Sequence, residues 1–145
     1  MSDLVYYSYE GAGEWLRDNF KFNQAVWIEN KIEIAGQGGW TYDATAPGLP
    51  LVFPDDLEAE MRQAFANVDT ALKHAKGKGL SQVYRMTSYH VNLTTEVVAV
   101  MAKVVDELLP HKPLWTVAGL NKLALDPMRV EIDVVAYDPE GAGSS

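Results

Sequence analysis

The chain contains no cysteine, which excludes disulfides, thiolate nucleophiles and thiolate metal ligands. Positive charge is scarce too: Lys and Arg number 12 against 20 Asp and Glu, a net charge of −8. Nucleic-acid binding relies on clustered cations that release counterions from phosphate, so this balance argues against a nucleic-acid partner. The densest basic stretch, Lys73-His74-Ala75-Lys76-Gly77-Lys78, reads instead as a solvated helix end, where the macrodipole favours cations. No run approaches the ~20 apolar residues that a membrane span needs, and the first twenty residues lack the apolar core of a signal peptide. The expectation is a cytoplasmic protein with no membrane contact. The three histidines, His74, His90 and His111, are scattered, and none is spaced with another as metal ligands are, so no metal and no cofactor are expected. His90 lies on a strand and reads as a packed or surface residue.

What is present suits an ordinary globular fold. Hydrophobic residues make up 48% of the 145 and charged residues 22%, and no internal repeat or linker interrupts residues 1–138. The expected organisation is one domain over 1–138 and a flexible tail over 139–145, which lacks large apolar groups to dock. Val5 to Tyr9 reads as a strand, ended by Gly11 and Gly13. Gln24 to Glu29 and Lys31 to Ala35 flank Asn30 closely enough for a hairpin. Over 55–76, Leu57, Met61, Ala64, Phe65, Val68, Leu72 and Ala75 recur at helical spacing, with Asp55 and Glu58 placed as a capping box. A strand over 82–91 follows, then a second helix capped by Thr94 or Thr95 and reaching Leu109. Strands at 114–120 and 128–137 finish the chain. The order predicts an α+β protein, one mixed sheet with both helices on one face. Its other face is left to water or to a partner subunit.

Two local features bear on function. Gly36-Gln37-Gly38-Gly39 lacks the spacing of a dinucleotide loop and opens no helix, so it reads as a turn where backbone approaches something closely. On the last strand, Glu131 and Asp133 point the same way, about 6.5–7 Å apart by strand rise. A carboxylate on an otherwise apolar central strand is desolvated and its pKa raised, which suits general acid–base work, although two carboxylates on a solvated face are equally ordinary.

Several segments, in their order, resemble the Rid family of reactive-intermediate deaminases, also called YjgF-like proteins. They are Phe22-Asn23-Gln24-Ala25-Val26, Ile34-Ala35-Gly36-Gln37-Gly38, Ala64-Phe65-Ala66-Asn67-Val68, Val83-Tyr84-Arg85-Met86-Thr87, Lys112-Pro113-Leu114-Trp115-Thr116-Val117 and Val130-Glu131-Ile132-Asp133. The resemblance runs from about residue 20 to residue 137. It implies a chorismate-mutase-like fold, a homotrimer with clefts between subunits, and hydrolysis of imines and enamines derived from amino acids. It also implies that Glu131 orients or activates water, that Gly36 and Gln37 line the cleft, and that Asn23 and Phe22 contribute substrate contacts, Phe22 standing where typical members place a tyrosine. Trp115 occupies the place of the arginine that pairs with a substrate carboxylate, Ala35 replaces a serine, and the stretch from Trp115 to Glu131 is one residue longer than usual. An indole offers one donor and an apolar face where guanidinium offers a charged fork. The expected ligand is therefore a small neutral or aromatic metabolite bound by Glu131, Trp115, Phe22, Gly36, Gln37 and Asn23. The alternative is a non-catalytic binding or scaffold trimer.

Overall fold

A computed structural model of the chain describes residues 3–141. Among them the elements run β1 (Tyr6–Tyr7), α1 (Ala12–Phe20), β2 (Ala25–Ile28), β3 (Lys31–Gly38), β4 (Thr41–Tyr42), β5 (Leu51–Val52), α2 (Leu57–His74), β6 (Val83–Val91), α3 (Thr95–Leu108), β7 (Leu114–Leu120) and β8 (Val130–Tyr137). Six strands form one mixed sheet in the order β1-β2-β3-β8-β6-β7, while β4 and β5 pair separately. All neighbours in the large sheet are antiparallel except β6 and β7. A parallel pair cannot be closed by a tight hairpin, and α3 supplies the crossover.

β8 is central, and its period-two pattern sorts the two faces. Val130, Ile132, Val134 and Ala136 are buried on the side packed by α2, whereas Glu131, Asp133 and Val135 lie half-buried on the open face. Asp56 caps α2, its carboxylate accepting from Ala59 N–H at 2.9 Å, one residue later than the Asp55 cap the spacing suggests. Glu58 is thereby freed to bridge Arg62 and Lys103, tying α2 to α3. Thr94 caps α3 through Val97 N–H.

The main departure from the sequence reading is α1. Gly11 and Gly13 read as breakers, yet Gly11 accepts the bond that starts the helix, from Trp15 N–H at 2.9 Å. Gly13 lies inside the helix because a Cβ there would meet Gln24 Oε1 at 2.7 Å and Tyr9 Cγ at 3.0 Å. The glycine serves close packing, not chain flexibility. Lys21 ends α1 in the left-handed region at φ 68°. The first strand is correspondingly short: only Tyr6 and Tyr7 pair, and Tyr9 turns into the core. Of the expected tail, Glu140 and Gly141 turn back on Asp138 through N–H bonds of 3.0 Å each, and residues 142–145 lie outside the described residues. No described helix is long and apolar enough to cross a membrane.

Candidate functional site

The register of β3 against β8 slips between Ile34 and Gln37, a bulge at Ala35-Gly36. Bulges re-aim side chains, and here two consequences follow. Gln37 is turned to the helix side and fully buried, donating to Ala35 C=O at 3.0 Å and accepting from Tyr9 Oη at 2.7 Å. Trp40 Nε1 in turn donates to Tyr9 Oη at 3.0 Å. Gly36 meanwhile lies under the Glu131 side chain: a Cβ at position 36 would stand 2.6 Å from Glu131 Cδ, and closer still to Oε2. The glycine makes room for the carboxylate.

Glu131 opens into a cavity of about 60 Å³ whose walls are otherwise apolar. Leu16 and Phe20 come from α1, Phe22 from the turn after it, Trp40 from beyond β3, and Leu125 and Met128 from the connection before β8. No described side chain hydrogen-bonds the carboxylate. Burial pushes the Glu131 carboxyl above the usual glutamate range, and the charge of Asp133 adds to this. Burial also raises Asp133, opposed by a hydrogen bond from Tyr89 Oη at 3.1 Å. The Tyr89 phenol, opposite Glu131 across β6, is itself pushed up, by burial first and then by that bond. A carboxyl raised above its ordinary range in an apolar pocket can both give and take a proton.

What holds Glu131 in position is an ion pair that the sequence does not advertise. Glu60, on α2 and fully buried, accepts from Arg129 N–H at 2.8 Å and from Arg129 Nε at 2.7 Å. Arg129 Nη2 also donates to Pro54 C=O and Asp55 C=O. All this clamps the chain two residues before Glu131. It also leaves Arg129 committed, with no free fork for a ligand.

The family model for endoribonuclease L-PSP matches residues 16–138, most of the chain and all of this cavity. The chain belongs to that family. The L-PSP family is the Rid/YjgF group that the motifs resemble, and solved members share the fold. A YjgF/YER057c/UK114-family protein from Mycobacterium tuberculosis is 20% identical, with a TM-score of 0.72 over 93% of this chain and 99% of that one. The protein YJGH is 23% identical, with a TM-score of 0.75 over 94% and 95%. A Rid-family protein from Yersinia pestis is 24% identical, with a TM-score of 0.64 over 94% and 99%. No curated protein matches the sequence.

Within one chain of this L-PSP-family fold the residues singled out by sequence do not all converge. Glu131, Phe22 and Gly36 share the cavity. Gln37 supports it from the opposite side through Tyr9 and Trp40. Asn23 accepts from Ser8 Oγ at 2.8 Å and lines a neighbouring concavity with Tyr6 and Glu33. Trp115 pairs with Met86 on the helix side of edge strand β7, across the sheet from Glu131, and its Nε1 donates to Ser88 Oγ at 2.9 Å. The same hydroxyl meets His90 Nε2 at 2.8 Å, and His90 is fully buried. Sequence reasoning missed Leu16, Phe20, Trp40, Leu125 and Met128. The Leu16–Phe20 spacing of four was the available signal, hidden by reading Gly13 as a break. In the basic stretch, Lys73 is paired with Asp69 and Lys78 with Asp138.

Proposed function

We propose that this protein works as a homotrimer that binds a small neutral or aromatic metabolite in clefts between subunits. Glu131 acts there as acid and base on an imine, enamine or tautomerisable carbonyl. The observation that carries the reading is the half-buried Glu131 carboxylate, free of hydrogen-bond partners among the described residues and set over Gly36 in an apolar cavity. For an imine, Glu131 takes a proton from water as its oxygen adds to carbon, then returns that proton to the departing nitrogen. The products are a carbonyl compound and ammonia or an amine. Phe22 forms the apolar wall and Gly36 the backbone contact. Asn23 stands at the β2 end of the cleft, Gln37 braces that end from the core side through Tyr9, and Trp115 joins the cleft from the β7 edge of a neighbouring copy.

The arrangement supports turnover without the usual 2-imino acid specificity, because no cationic side chain among the described residues lines the cavity. Imines generated in situ by amine oxidases, with a carbonyl product followed spectroscopically, give the test. Glu131→Gln should abolish turnover while leaving the melting temperature and the mass in solution nearly unchanged. Unchanged rates in that variant would remove Glu131 from the chemistry; ligand binding with no turnover in the unaltered protein would favour a binding trimer instead. Light scattering should give about three times the chain mass of 16.0 kDa, and a stable monomer would remove the shared cleft.

A further inference from the structure

The charge that lines the cavity has one sign, and Lys21, between Phe20 and Phe22, turns its Nζ to Asp18 C=O at 2.7 Å. Among the described residues Glu131 is its only charged lining residue, and Asp133 is the next carboxylate along the open face. The cations nearby are elsewhere engaged or distant. Arg129 is held by Glu60, and Lys122 pairs with Asp126 on the exposed connection. Arg85 pairs with Val135, four residues along β8 from Glu131, roughly 13 Å by strand rise. Three aromatic rings, Phe20, Phe22 and Trp40, line the same cavity. A ring face attracts a cation through its quadrupole, more strongly where water is excluded. An anion would meet Glu131 with nothing to neutralise it. The volume, about 60 Å³, admits several water-sized groups at roughly 10–15 Å³ each, which suits a body of about five heavy atoms.

We propose that this cavity selects a small organic cation lacking a carboxylate, the conjugate acid of a neutral imine, with Glu131 as counter-ion and Phe20, Phe22 and Trp40 as aromatic walls. The proposal rests on the acid–base reading of Glu131 and narrows its substrate class. The chemistry balances without oxidant or reductant. Glu131 accepts a proton from water as the C–O bond forms on the iminium carbon, and passes it to nitrogen. The C–N bond then breaks while the hydroxyl proton leaves with nitrogen, so iminium and water become a carbonyl compound and an ammonium ion. Glu131 ends as the carboxylate it began as.

The test uses the full chain and three probes of similar ring size: pyrrolidinium, cyclopentanol and cyclopentanecarboxylate, titrated by NMR at neutral pH and low salt. Pyrrolidinium should bind at least tenfold more tightly than cyclopentanol, and the carboxylate most weakly. Glu131→Gln should bring pyrrolidinium to within twofold of cyclopentanol. Phe22→Leu, which leaves the carboxylate in place, should also narrow the gap. Equal or tighter binding of cyclopentanol or the carboxylate, no binding of any probe, or a preference that survives in Glu131→Gln would each overturn the proposal. Its failure is separable from that of the acid–base reading. Glu131-dependent turnover without cation preference sinks only the present inference, whereas cation preference without turnover upholds the binding class and sinks the chemistry.

Discussion

Replacing Gly36 by alanine asks whether the space beneath Glu131 is functional. The Cβ would lie 2.6 Å from Glu131 Cδ, 2.8 Å from Cγ and closer still to Oε2, so the side chain must recede by at least about 0.8 Å to reach ordinary contact near 3.4 Å. The φ of Gly36 is not positive, so alanine brings no backbone strain. The obstacle is the end of a flexible side chain, which can swing toward the open face, not a fixed backbone atom. The stability cost should therefore sit at the low end of overpacking, about 1 kcal/mol. That corresponds to a drop of roughly 3–4 °C in melting temperature for a chain of this size. Activity should suffer far more, since a displacement near 1 Å of a reacting group costs on the order of 100-fold. Thermal unfolding and imine turnover, measured on the same preparation of Gly36→Ala, separate the two effects. Full activity in Gly36→Ala would refute the reasoning.

Three other outcomes are expected. Because burial raises the Glu131 carboxyl in the folded state, the native protein binds more protons there than the unfolded chain does. Stability from this group is fully present below the ordinary glutamate range and is lost as pH rises through the raised folded value. Glu131→Gln should then be at least as stable as the unaltered protein at neutral pH, with its relative advantage gone in acid, as melting curves against pH would show. Arg129→Ala strands a fully buried Glu60 and should cost about 3 kcal/mol, the low end for a broken buried pair because the Arg129 side chain is 37% exposed; denaturant titration with little loss would show that water reaches Glu60. Against 2-imino acids made in situ by an amino-acid oxidase, the missing charge-assisted pair should lower kcat/KM by about 2–5 kcal/mol, roughly thirty-fold to several-thousand-fold, relative to an arginine-bearing homologue. Comparable rates would point to Arg85, whose guanidinium makes no hydrogen bond or ion pair among the described residues, as a replacement clamp.

Local periodicity was enough for much of this protein. The alternation of Val130, Ile132, Val134 and Ala136 with Glu131 and Asp133 determined both the core face of the last strand and the direction of its carboxylates, because side chains alternate strictly along a strand. The apolar stripes of α2 and α3 were equally legible, as was the membership that ordered motifs from Phe22 to Asp133 imply. The tertiary structure decided what depends on distant partners. Whether Gly13 breaks a helix or sits inside one turns on Tyr9 and Gln24 packing against it. The clamp before Glu131 joins residues 69 apart, and no sequence pattern marks such a pair. Gln37 faces inward because the strand bulges at Ala35-Gly36, and Trp115 faces away from Glu131 because β7 takes its register from β6. Residue types and spacing set which groups are available. Which of them share a cavity is set by strand register and by the packing of α1, and these are settled only when the whole sheet closes its core.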